Sequence, residues 1–143
     1  MNMAEQPVTE YELQAEWQVL QSQFDSYEKF SLIIKLVAIC TFAAFTITQG
    51  SSVLFALTFA MLWLQDAIWK TFQTRIEDRI LVIEAALATS TEIAPFQFNR
   101  EFAAQRPGLV GLVFEYSKAA FKPTVAFPHV VIIALTLFTG WPI

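Results

Sequence analysis

Between Lys35 and Asp66 the chain carries no Asp, Glu, Lys or Arg, and none follows Lys122. Stretches of that length without charge are hard to place in water, because the exposed elements of a soluble domain ordinarily carry charge. Only 15% of the 143 residues are charged and 55% are hydrophobic, against roughly 25% charged in a soluble domain. The chain is therefore expected to fold in a membrane, as a single unit given its length.

From Ser31 to Thr48 the run SLIIKLVAICTFAAFTIT is broken only by Lys35. As a helix it rises about 27 Å, close to the ~30 Å hydrocarbon core of a bilayer. QGSS, residues 49–52, supplies an outer turn with Gly50 as its conformationally free residue, and residues 53–69 return as a second span. A third apolar run covers residues 123–141, ending at Trp141. Pro123 suits a first helical turn, whereas Pro128 removes a backbone hydrogen bond and is expected to kink the helix. The expected fold is an all-α integral membrane protein, a transmembrane helical hairpin with cytoplasmic coiled-coil-like extensions plus a third C-terminal transmembrane helix. The N-terminal stretch lacks the basic and apolar regions of a cleavable signal peptide, so the first span is expected to act as its own membrane signal.

Orientation follows from the nine basic residues. Lys29 and Lys35 precede or open the first span, and all the others lie between the second and third, from Lys70 to Lys122. In a three-span layout they share one side, which the positive-inside rule makes cytoplasmic. The expected localisation is a bacterial inner membrane with the N-terminus cytoplasmic and the C-terminus outside. So little then lies outside that a binding function there is disfavoured.

The cytoplasmic segments have their own period. Leu13, Trp17, Leu20, Phe24 and Tyr27 recur at spacings of 4, 3, 4 and 3, and Ile76, Ile80, Ile83 and Leu87 at 4, 3 and 4, the pattern of a heptad seam. Phe72 is expected to extend the second stripe toward the membrane. The two segments, 9–30 and 70–88, are expected to pair as an antiparallel stalk continuing the hairpin, and their seam is the expected interaction surface. The competing arrangement is two amphipathic helices lying on the membrane. Inside the membrane the first seam continues as Ser31, Ile34, Ala38, Thr41, Phe45 and Thr48, whose small residues permit close helix approach in lipid.

Residues 89–122 form a connector. REFAAQ is expected to be a short helix ended by RPG, and residues 109–121 an amphipathic helix with Glu115 and Lys118 on its wet side. Chemistry-bearing constellations are scarce. His129 is the single histidine, Cys40 the single cysteine and expected to be buried, and RPGLVG lacks a Walker lysine. Glu77 and Asp78 are expected to form a solvated face with Arg75 and Arg79. Neither a cofactor, a metal site nor a nucleic-acid footprint is expected, and the chain is not expected to be an enzyme.

One polar grouping stands out. Counted from the turn, Lys35 and Asp66 lie at the same depth, about 23 Å away. Taking Trp141 as the far interface brings His129 near the same level. The grouping is either a Lys35, Asp66 and His129 cluster within the membrane or a set of side chains reaching interfacial water separately. A histidine beside a carboxylate is the side-chain type suited to a proton switch. The leading expectation for function is a non-enzymatic scaffold, accessory subunit or self-associating module acting through the cytoplasmic helices. Its partners would be the lipid bilayer and either a second copy or another protein. The alternative is a small oligomeric channel or transporter component using the polar cluster.

Overall fold

The computed structural model describes residues 8–139, so the expected end of the third span at Trp141 lies outside the described residues. Five helices follow one another: α1 (Val8–Thr48), α2 (Ser52–Thr89), α3 (Phe98–Gln105), α4 (Leu109–Ala120) and α5 (Pro123–Thr139). Among the described residues there is no strand. α1 and α2 are each long and apolar enough to cross a membrane, and α4 with α5, bent by 76° at their break, reach that length and hydropathy only when taken together as one span.

α1 and α2 run uninterrupted for 41 and 38 residues, so each intramembrane span and its extension are one helix of roughly 60 Å. The chain reverses between them at Gln49–Ser51. Here the expectation for Gly50 is corrected. Gln49, at φ 51°, takes the left-handed conformation, and Gly50 does not. Gly50 serves close approach instead, since a Cβ there would meet the Phe55 ring at 2.7 Å. At the other end of α2, Ser90 is left-handed at φ 52° and the Thr91 N–H reaches back to the Ala86 carbonyl, which closes the helix.

Residues symmetric about the turn meet across the hairpin. In the stalk, the part of the hairpin beyond Lys35 and Asp66, Leu13, Leu20, Ile76, Ile80 and Ile83 form one buried cluster. Trp17, Phe24, Tyr27 and Leu87 pack against it. The two stripes are therefore buried by each other. Phe72 is a correction: it is 38% exposed, and the inward positions at its level are taken by Thr71 and Gln73. Nearer the turn, Ala38, Phe59 and Ile132 form a second cluster flanked by Phe42 and Phe55. The spans otherwise face outward, with Leu36, Ile47, Leu54 and Met61 all more than half exposed, a surface consistent with insertion in lipid. Cys40 belongs to that outer surface and is not buried.

α2 is the central helix, in contact with each of the other four. α3 ends where Pro107 forbids continuation, Arg106 having turned to ψ 117°. α4 departs from expectation in part: Lys118 is exposed as expected, but Glu115 pairs with Arg75 of α2. Glu115 and Ala119 face α2, while Leu109, Val110, Val113 and Phe114 are exposed at 63% or more. The apolar face is left outward because α2 offers Arg75 as a partner for Glu115. The Lys122 carbonyl then accepts from Val125 and Ala126 and opens α5 with Pro123 at its first position. α5 remains one helix through Pro128, although position 128 has no N–H to give.

Candidate functional site

Asp66 sits on the inner face of α2, where Ser31 and Lys35 of α1 and His129 of α5 converge on it. Their positions follow from helix geometry: Ser31 and Lys35 are one turn apart on one face, and α5 runs beside both long helices. Ser31 Oγ donates to Asp66 Oδ1 at 2.5 Å. Lys35 Nζ lies 3.0 Å from Ser31 Oγ and 3.6 Å from Asp66 Oδ2. His129 Nε2 is 3.4 Å from the same Oδ2. Asp66 and His129 have no exposed surface, and the Lys35 side chain is 23% exposed. The three expected members are thus brought together, and Asp66 does not reach water on its own. His129 Nδ1 is buried without a hydrogen-bond partner, an arrangement that costs stability. Ser31, expected only as a small packing residue, is the member that sequence reasoning missed. Its position one turn from Lys35 on the seam was the available signal.

Among the described residues no polar route leads from this cluster toward the turn. The level below it is filled by Ala38, Phe59 and Ile132. The buried Thr136 turns its hydroxyl back to the Ile132 carbonyl, and Thr41 and Thr58 likewise bond within their own helices.

A second buried polar centre lies in the stalk, where sequence reasoning expected a solvated face. Arg79 is 4% exposed. Its Nε and Nη2 donate to the two oxygens of Glu16 at 2.9 and 3.1 Å. Nη1 donates to Glu101 at 2.8 Å and Nη2 also to the Ala94 carbonyl at 3.0 Å. The Glu16 carboxylate takes a further bond from the Phe96 N–H at 2.7 Å, with Phe96 held at φ 57°. Burial opposes the charge on Arg79, but the hydrogen bonds and fields of Glu16 and Glu101 outweigh it, so its pKa is raised. Such a fork-to-carboxylate pair is among the strongest polar contacts available. One side chain thereby ties α1, α2, the connector and α3. Arg75 is not solvated either: it pairs with Glu115 at 2.8 Å and lies over the Phe102 ring at 4.4 Å. Glu77 and Asp78 do stay exposed.

Indole N–H groups pin the remaining joints. Trp17 donates to Glu84 at 2.9 Å across the stalk, and Trp63 to the Ala120 carbonyl at 3.1 Å. Trp69 packs against Tyr27 and Phe30. Among the described residues no three His, Cys, Asp or Glu side chains are grouped to hold a metal ion. No family model, no curated protein and no solved structure matches this chain.

Proposed function

We propose that the chain is a non-enzymatic membrane protein that crosses a bacterial inner membrane three times. Its coiled-coil-like stalk and N-terminus would lie in the cytoplasm and its C-terminus outside, and the stalk would dock another protein or a second copy. All nine Lys and Arg lie at or beyond the level of Lys35, away from the turn, which supports this orientation.

The docking reading is carried by the outer side of the stalk. Its seam is satisfied within the chain, yet Tyr11, Val19, Leu81 and Val82 stay exposed, between 47% and 69%. Val19 stands about 18 Å beyond Ser31 along α1, past the hydrocarbon, so lipid does not cover it. The Arg79 brace supports the same reading, because it makes the stalk a fixed surface. Photo-crosslinkers at Val19, Leu81 and Val82 in native membranes should give discrete protein adducts that a crosslinker at lipid-facing Met61 does not. Stalk crosslinkers that give none would overturn it.

A second reading is favoured by one observation, the unpartnered Nδ1 of His129 beside Asp66. A polar site retained at such cost inside a membrane is suited to an ion- or proton-handling subunit assembled from several copies. Purified protein in liposomes separates the two readings. The docking reading expects no ion flux.

A further inference from the structure

A cleft of about 550 Å³ opens between α1, α2 and the first turn of α5, just on the stalk side of Asp66. Its volume falls in the range of about 300–1,000 Å³ common to small-ligand sites. Lys29, Lys35, Lys70, Thr124, Asp25 and Glu28 line it, and Leu32 supplies an apolar side wall.

The charges are ordered along the cleft. Measured along the helices from the Lys35 and Asp66 level, Lys70 lies about 6 Å, Lys29 about 9 Å and Glu28 about 10 Å toward the stalk, while Asp25 lies about 15 Å away. Thr124 stands in the first turn of α5, whose N-terminal end carries a partial positive charge. The inner end thus holds the Lys35–Asp66 pair and Lys70, which donates to the Gln73 amide oxygen; Lys29 and Glu28 stand side by side farther out, and Asp25 lies nearest water. Asp25 and Lys29 have the one-turn spacing, acid first, that favours an intrahelical ion pair. Among the described residues neither is in one, nor is Glu28.

We propose that this cleft binds the headgroup of an aminophospholipid, a diacyl lipid whose phosphate is followed, two carbons farther from the acyl chains, by a primary ammonium. The phosphate is held by Lys29, Lys35 and Lys70 with the Thr124 hydroxyl. The ammonium is held by Glu28 and Asp25, and one acyl chain passes Leu32 into the bilayer. A purely anionic headgroup would leave the two carboxylates facing negative charge. A quaternary headgroup would leave them without N–H donors. The site rests on the membrane-inserted reading above, but not on which face is cytoplasmic nor on the stalk having a partner.

The test uses the full chain in a non-ionic detergent. Binding is read by native mass spectrometry and by thermal shift with phosphatidylethanolamine, phosphatidylglycerol, phosphatidylcholine or inorganic phosphate added. Phosphatidylethanolamine is expected to bind about tenfold or more tightly than the other two lipids, the difference that one charge-assisted hydrogen bond makes. Asp25→Asn with Glu28→Gln should lower phosphatidylethanolamine binding about tenfold, to the level of the other two lipids, and Lys29→Ala with Lys70→Ala should weaken all three lipids. Because Asp25 and Glu28 are exposed, the first pair of changes leaves the fold intact, and circular dichroism checks the second. Equal binding of the three lipids, tightest binding of phosphatidylglycerol, or binding of inorganic phosphate as tight as that of phosphatidylethanolamine would each overturn the proposal.

Discussion

Arg79 and Glu16 meet through two parallel hydrogen bonds of 2.9 and 3.1 Å, both side chains almost wholly buried, in the middle of an otherwise apolar seam. Removing one partner strands a buried charge, which typically costs about 3–5 kcal/mol, whereas removing both leaves none to strand. Glu16→Leu and Arg79→Leu should each lower stability by that amount in a detergent unfolding assay, and the double variant should be milder than either. With the Arg79 pKa raised, its contribution is complete below the ordinary guanidinium value and is lost only as pH rises through the folded value. Between pH 5 and 9, then, the charge on Arg79 itself introduces no pH dependence of stability.

The hairpin pairing yields a second prediction. Leu20 and Ile80 lie within one residue of the same distance from the turn and share one buried cluster. Paired cysteines there, in a chain whose lipid-facing Cys40 has first been replaced, should cross-link readily in membranes. Leu13→Ala or Ile83→Ala should cost about 2–5 kcal/mol, as deletion of buried aliphatic groups generally does. Surface-lying helices would give no cross-link and almost no cost.

How much of this was legible depended on whether position alone decided it. A constant rise per residue and a short turn place Lys35 opposite Asp66 and Leu20 opposite Ile80, so symmetric pairs could be read from numbering. Arg79 could not. Its partners Ala94, Phe96 and Glu101 come from the connector, whose path follows no period, and Glu16 lies six residues out of register with it. The wet side of α4 was misread at Glu115, because periodicity finds a polar face without saying whether water or a salt-bridge partner meets it. Glu115 meets Arg75 of α2, whereas Lys118 stays exposed as its period indicated.

The turn offers a test in which intuition about glycine fails. Gln49 holds φ 51°, a conformation that glycine adopts without steric cost, so Gln49→Gly should be neutral or stabilising by up to about 1 kcal/mol. Gly50→Ala should destabilise by roughly 1 kcal/mol or more, because the new methyl must displace the Phe55 ring. Thermal unfolding of the two variants side by side checks the sign of each. A more stable Gly50→Ala would mean the ring moves aside freely.

Asp66 and His129 contribute unequally to their contact, and this separates structure from function. Asp66 serves Ser31, Lys35 and His129 at once, so Asp66→Leu should cost about 3–5 kcal/mol, less if the partly exposed Lys35 recovers water. His129 makes one long contact and leaves Nδ1 unpartnered. His129→Leu removes a polar group that is already poorly satisfied, and such replacements can be nearly neutral or stabilising. Unfolding of both single variants and the double variant would measure the coupling, expected to exceed about 0.5 kcal/mol for groups in contact. A chain that loses nothing in stability when His129 is replaced, but loses its biological activity, would have kept the histidine for what it does rather than for what it holds. That outcome would move the weight to the ion-handling reading, whereas unchanged activity would leave the stalk as the working part.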